Sequence, residues 1–208
     1  MHIADLTRRW RGGKDGFEAA VSEVPLESAS TRYTGVIYRI AESSMLGTYI
    51  DFPGHIRETD NGVDAGNFPV RELYRAPASV IRLDRDHGPV SGAELEAAFG
   101  GKVHTPVLVI NALGARDETE LPFRIVYLDH SALDWIIACG VRYLISDVYE
   151  SQALHGVFLK LFQAGVTTIC CPANLAALHC GEVKITCLFL PLAGVTQIPC
   201  RLIAEQEE

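Results

Sequence analysis

The sequence predicts a mixed α/β (α+β) fold in one domain covering residues 1–208. Three observations carry that expectation. Apolar, β-branched runs of strand length recur along the chain, and the second half alternates them with helical patterns. At 208 residues and 48% hydrophobic composition, the chain can also fill one sizeable core.

Each element follows from a local signal. The run "TRYTGVIYRIAESSMLGTYIDF" is rich in β-branched and aromatic residues and predicts two strands, broken at Glu42–Ser44, with Asp51 at a strand end. "PASVIRLD" reads as another strand. Ser91 stands three residues before Glu94, a capping-box spacing that starts a short helix in "SGAELEAAF". "TPVLVINAL" is a continuous apolar run expected of a buried strand, and "GARDETELPF" follows as a charged loop. Ser131 is placed to cap "ALDWIIAC", Gly140 to end it, and "VRYLIS" to run as a strand up to Asp147. Leu154, Val157, Phe158, Leu161 and Phe162 make a helical stripe across residues 151–164, closed by Gly165. "VTTIC", "EVKITCLFLPL" and "PCRLIAE" complete the strands, the last assigned to an edge because Pro199 lacks an N–H.

Charge and cysteine content exclude several function classes. Eighteen basic against 26 acidic residues give a net charge of −8, and the basic residues cluster only in "RRWRGGK", so no nucleic-acid partner is expected. No basic-then-apolar leader opens the sequence, and "ITCLFLPLAGV" is too short to span a bilayer; a cytoplasmic protein without a membrane partner is expected. The six cysteines fall between Cys139 and Cys200 without a C-x-x-C pair. They read as small buried hydrophobes, not as disulfides or a zinc site.

The stretch "MLGTYIDFPGH", Met45 to His55, sets Asp51 and His55 in an apolar run, where unpaired polar groups are costly to bury. Histidine suits proton transfer near neutral pH, which makes His55 a candidate acid/base; its alternative is a structural loop histidine. Asp51 is either its partner or a turn residue accepting backbone N–H groups. Gly47, Thr48 and Pro53 are read as conformational, presenting the other two.

That stretch resembles H-x-G-T-H-x-D-x-P-x-H, the hallmark of the cyclase family of metal-dependent hydrolases, which includes kynurenine formamidases and isatin hydrolases. Gly47, Thr48, Asp51, Pro53 and His55 match in register, and the likeness runs from "ADLT" through "GVRYLISD" to "LPL" and "PCRLI". The resemblance implies the swivelling β/β/α fold, a homodimer or higher homo-oligomer with the site near a subunit interface, and a hydrolase. Its substrate would be a small cyclic amide, lactone or N-acyl aromatic compound. It also implies that His55 is the proton-transfer residue.

The family's metal ligands are mostly replaced. Met45 and Tyr49 stand at the two early histidine positions; setting Gly165 on the family glycine puts Phe158 and Cys170 where a histidine and a carboxylate are expected. Only Asp51 matches, too few donors for a metal. No cofactor is therefore expected unless Asp51, His155 and Cys170 rebuild a site for zinc or manganese. The resemblance implies a pocket shared by Tyr49, Asp51, His55 and Cys170, made more apolar by the replacements; strand alternation puts Cys171 on the opposite side. The expected mechanism is metal-independent: His55 as acid/base, Asp51 as its partner, Tyr49 as a donor to a developing oxyanion. Cys170 is either a thiol nucleophile or an inert buried cysteine. The alternative is a catalytically inactive member that binds a small ligand or a partner subunit in that pocket.

Overall fold

The computed structural model describes residues 1–9, 18–179 and 181–207. Thirteen strands and three α-helices follow in chain order. They are β1 (His2–Asp5), β2 (Glu18–Glu27), β3 (Arg32–Ala41), β4 (Tyr49–Asp51), β5 (Ala76–Arg82), β6 (Gly88–Val90), α1 (Gly92–Phe99), β7 (Val107–Asn111), β8 (Val126–Leu128), α2 (His130–Ala138), β9 (Tyr143–Ser146), α3 (Val157–Gln163), β10 (Thr167–Cys170), β11 (Gly181–Leu188), β12 (Gln197–Pro199) and β13 (Arg201–Gln206). Nine strands form one sheet in the order β1-β13-β11-β5-β7-β9-β10-β4-β12. The middle strands β5, β7, β9 and β10 are parallel and the flanks antiparallel. Parallel neighbours need a crossover, and α1, α2 and α3 lie in the three crossovers.

Alternation along the central strands divides the core. Val107, Val109, Tyr143 and Ile145 face one cluster with Ile50, Phe52 and Leu202, whereas Leu108, Ile110 and Leu144 face a second with Leu133, Ile136 and Leu161 of the helices. Burial on both faces explains why β7 reads as an unbroken apolar run. Among the described residues no helix is long and apolar enough to cross a membrane.

The capping box forms as expected: the Ser91 hydroxyl accepts the Glu94 N–H, the Glu94 carboxylate accepts the Ser91 N–H, and Gly100 closes the helix at φ 84°. Three local expectations are corrected. Asp129, not Ser131, caps α2, its carboxylate accepting the Ala132 N–H at 2.9 Å; Ser131 instead accepts the Gly92 N–H and ties α1 to α2. Helix α3 begins only at Val157, because Leu154 and Gly156 adopt positive φ, and Leu154 is exposed. "PCRLIAE" does not form an edge: β13 runs between β1 and β11, while Pro199 ends the separate edge strand β12.

Strand β2 had no counterpart in the sequence reading. It pairs with β3 over ten residues as a two-stranded ribbon. Val21, Tyr38, Val36 and Ile40 line one face and Val24, Leu26, Tyr33 and Ile37 the other, all 36–63% exposed. With apolar groups on both faces, its sequence shows no simple alternation.

Among the described residues the cysteines are unpaired; Cys170, Cys187 and Cys200 are buried and Cys139 and Cys171 half-buried, while Cys180 lies outside the described residues.

Candidate active site

The site is built on the last strands of the sheet. In β4, Tyr49 and Asp51 are two residues apart and project from the same face, while Ile50 enters the opposite core. Asp51 lies opposite Thr168 of β10 and Gln197 of β12, and Tyr49 opposite Cys170. The conformational reading of Gly47, Thr48 and Pro53 fits. Gly47 takes φ 64°, where only glycine is unstrained. The Thr48 hydroxyl donates to the Cys171 carbonyl and accepts the Arg8 N–H, both at 2.8 Å. Pro53 opens the 3-10 turn Pro53–His55 that carries the chain off the strand.

Asp51 is only 3% exposed, and its Oδ1 has no hydrogen-bond partner. The turn reading, in which it accepts backbone N–H groups, is therefore not what the fold builds. Oδ1 faces His55 Nδ1 at 3.9 Å, and Oδ2 is 3.9 Å from the Cys170 Sγ. Burial pushes the Asp51 carboxyl up to about 6, although His55, the Gln197 amide and the Cys170 thiol pull the other way. The His55 side chain is 41% exposed, open to solvent on one side and to Asp51 on the other. Its Nε2 is 3.5 Å from Gln197 Nε2, and the Ser44 hydroxyl donates to Gln197 Oε1. With the amide held in that sense, His55 Nε2 accepts, which leaves Nδ1–H directed at Asp51.

A cavity of about 500 Å³ lies on the other side of Tyr49 and Cys170. Its wall includes Leu121, Phe123, Tyr149 and Phe158. Phe158 stacks on Tyr149 at 5.1 Å between centroids, and the single Tyr149 hydroxyl proton is shared between the Leu144 and Ile169 carbonyls, 2.9 and 3.0 Å away. Tyr49, Phe158 and Cys170 thus share one cavity, as the family register implies. Asp51 and His55 do not line it, although the Cys170 thiol, which does, is 3.9 Å from Asp51 Oδ2.

Three expectations about this site are corrected. Met45 is 55% exposed and outside the cavity. Cys171 has left the strand with φ 51° and lines the same cavity as Cys170, so strand alternation no longer applies to it. His155 stands beside Tyr127 and His130 on the surface, displaced from the cavity by the late start of α3. Asp51, His155 and Cys170 therefore do not converge, and among the described residues no three His, Cys, Asp or Glu side chains are grouped to hold a metal ion.

Burial and the Asp51 charge push the Cys170 thiol well above its usual range, and burial likewise raises the Tyr49 phenol. Cys170 is held as a thiol, and Tyr49 as a neutral hydrogen-bond donor.

The sequence reading missed Gln197, whose role depends on pairing across 146 positions. It also missed Asp147 and Glu150, which line the cavity. Asp147, pushed up to about 6 by burial, accepts the Ala112 and Leu113 N–H groups and joins the ends of β7 and β9. Glu150 accepts the Gly156 and Val157 N–H groups at the start of α3. Two acids in the otherwise apolar "LISDVYE" were the available signal.

A family model described as putative cyclase matches residues 4–152. The chain belongs to the cyclase family. No curated protein matches. Among solved structures, a potential metal-dependent hydrolase with cyclase activity superposes with a TM-score of 0.74 at 18% identity, covering 100% of this chain and 99% of that one. Isatin hydrolase A from Labrenzia aggregata, bound to benzyl benzoate, gives 0.70 at 15% identity, covering 98% and 93%. A predicted metal-dependent hydrolase from Bacillus stearothermophilus gives 0.69 at 18%, covering 98% and 97%. At these identities the likeness is one of fold, and it fits the cyclase-family architecture.

The metal that two of these descriptions name does not fit the donors present here. Around Asp51 stand a thiol 3.9 Å away, an imidazole 3.9 Å away and the Gln197 amide; Tyr49 and Phe158 occupy the other family positions. Asp51, His55 and Cys170 are donors by type, but among the described residues no three His, Cys, Asp or Glu side chains are grouped to hold a metal ion, and phenol, phenyl and amide groups at the other positions do not complete the set that a catalytic zinc uses.

Proposed function

We propose that this cyclase-family protein is a hydrolase of small cyclic amides, lactones or N-acyl aromatic compounds that works through His55 and Asp51. The observation that supports it most directly is the buried Asp51 carboxylate with an unpartnered oxygen facing His55 Nδ1. In this reading His55 takes a proton from water as the water oxygen bonds to the acyl carbon. Asp51 stabilises the imidazolium, and Tyr49 donates to the oxygen that gains charge. As the acyl bond breaks, the proton passes from His55 to the leaving nitrogen or oxygen.

A second reading, ligand binding without turnover, is favoured by one feature. Asp51 and His55 are not among the residues lining the cavity, whereas Cys170 and Tyr49 are. Screening ring amides and lactones for turnover, with binding read separately by calorimetry, distinguishes the two. His55→Ala should lower kcat by at least 100-fold while leaving binding within threefold. Unchanged turnover would remove His55 from the mechanism, and binding without turnover in the wild type would establish the second reading. Elemental analysis after incubation with zinc and manganese belongs beside it; near-stoichiometric metal would overturn the metal-independent mechanism.

We also propose that the protein is a homo-oligomer, with the β2–β3 ribbon as its contact. Eight large apolar side chains stand exposed on it, four to each face, and exposed apolar patches of this kind mark contact surfaces.

A further inference from the structure

The charges lining the cavity differ in one respect, which is whether the fold already satisfies them. Glu118 is paired with Arg8 at 3.2 Å, Asp147 accepts two backbone N–H groups at 2.9 and 3.0 Å, and Glu150 accepts two at 2.8 and 2.9 Å. Arg124, at the rim, has no carboxylate partner among the described residues. Its guanidinium carbon lies 4.8 Å from the centroid of the Phe123 ring, an exposed aromatic that also lines the cavity. The ring face holds the cation without neutralising it, leaving its N–H donors available.

The backbone adds a second observation. Arg124 sits at φ 54°, a left-handed conformation that is strained for a residue with a Cβ and concentrates at binding sites. The rim is fixed beside it: the Phe123 carbonyl accepts from Gln152 Nε2 at 2.8 Å. A chain of net charge −8 repels anions overall, so an anionic ligand needs a local cation at the point of entry.

We propose that Arg124 anchors the carboxylate of a flat, one- or two-ring organic acid whose ring lies in the cavity against Tyr149 and Phe158. The inference rests on reading the cavity as the substrate site and narrows the substrate class within it: a ring compound that carries an anionic group besides the bond to be broken. A guanidinium presents paired donors that match a carboxylate, whereas an uncharged amide offers one acceptor and no charge. Arg124 is thus a specificity residue, separable from His55, which does not line the cavity.

The test uses two probes that differ only in that group, indole-3-carboxylate and indole-3-carboxamide, titrated calorimetrically into the wild type, Arg124→Gln and Arg124→Lys. The wild type should bind the carboxylate at least tenfold more tightly than the carboxamide, and the preference should shrink when salt is raised from 50 to 500 mM. R124Q should lose the carboxylate by tenfold or more while holding the carboxamide within twofold; R124K should fall between. Arg124→Asn, a residue that tolerates left-handed backbone, provides the same neutral substitution if R124Q melts early. Equal affinity for the two probes in the wild type, or a preference that survives in R124Q and R124N, overturns the anchor while leaving the cavity as a ring site. Failure of both probes to bind overturns the anchor together with the cavity reading, whatever His55→Ala does to turnover.

Discussion

The Asp51 carboxyl, pushed up to about 6 in the folded protein from an ordinary value near 3.8, ties the site to stability. Between those values the folded state holds the proton more tightly than the unfolded chain. Stability is therefore highest below the lower value and falls as pH rises toward 6, and above 6 the full penalty of a buried carboxylate is present. Asp51→Asn should raise stability at pH 7.5 by up to about 3 kcal/mol and flatten the decline between pH 4 and 6, seen as a rise in Tm. The same variant should lose turnover if Asp51 supports His55. A Tm unchanged or lowered at pH 7.5 would show that the carboxylate is satisfied by something other than the groups described. Asp51 and His55 were legible because their four-residue spacing in an apolar run is local. Gln197 was not, since only strand pairing brings it opposite Asp51. His155 misled for a related reason: helix α3 starts three residues later than its apolar stripe begins, and a register carried back to the start of that stripe loses its meaning.

At the scale of elements, the strands of the central sheet and the capping box of α1 were readable from period and cap chemistry. Of the ribbon only β3 was, from its β-branched and aromatic run; β2 was not, because its apolar residues fall on both faces and leave neither a period of two nor a polar side. An isolated two-stranded ribbon is marginal in water and exposed apolar patches mark contact surfaces, which is what supports the proposed second copy as its cover. Replacing Val36 and Ile40, neighbours on one face, with lysine should shift the protein to the monomer in light scattering coupled to size exclusion. The fold should be kept, because neither side chain belongs to the two buried cores. A wild type that is monomeric at micromolar concentration would reject the second copy as the ribbon's partner.

Across the whole molecule, stability is distributed unevenly over the sheet. Strands β7 and β9 are paired on both sides and buried on both faces, whereas β4 and β12 are three-residue strands at one margin, and β4 and β12 carry Tyr49, Asp51 and Gln197. Amide hydrogens should therefore exchange faster in β4 and β12 than in β7 and β9 by at least tenfold. Equal protection across the sheet would mean that the margin opens only with global unfolding. The sequence announced the buried strands and the hallmark residues but not their relative position in the sheet, since strand order is a property of pairing. That placement has a consequence for heat and for chemical change alike. If β4 and β12 do exchange first, the proposed working groups would go silent while the scaffold is still intact and recover once the margin closes, so that a warmed sample without activity need not have lost its shape.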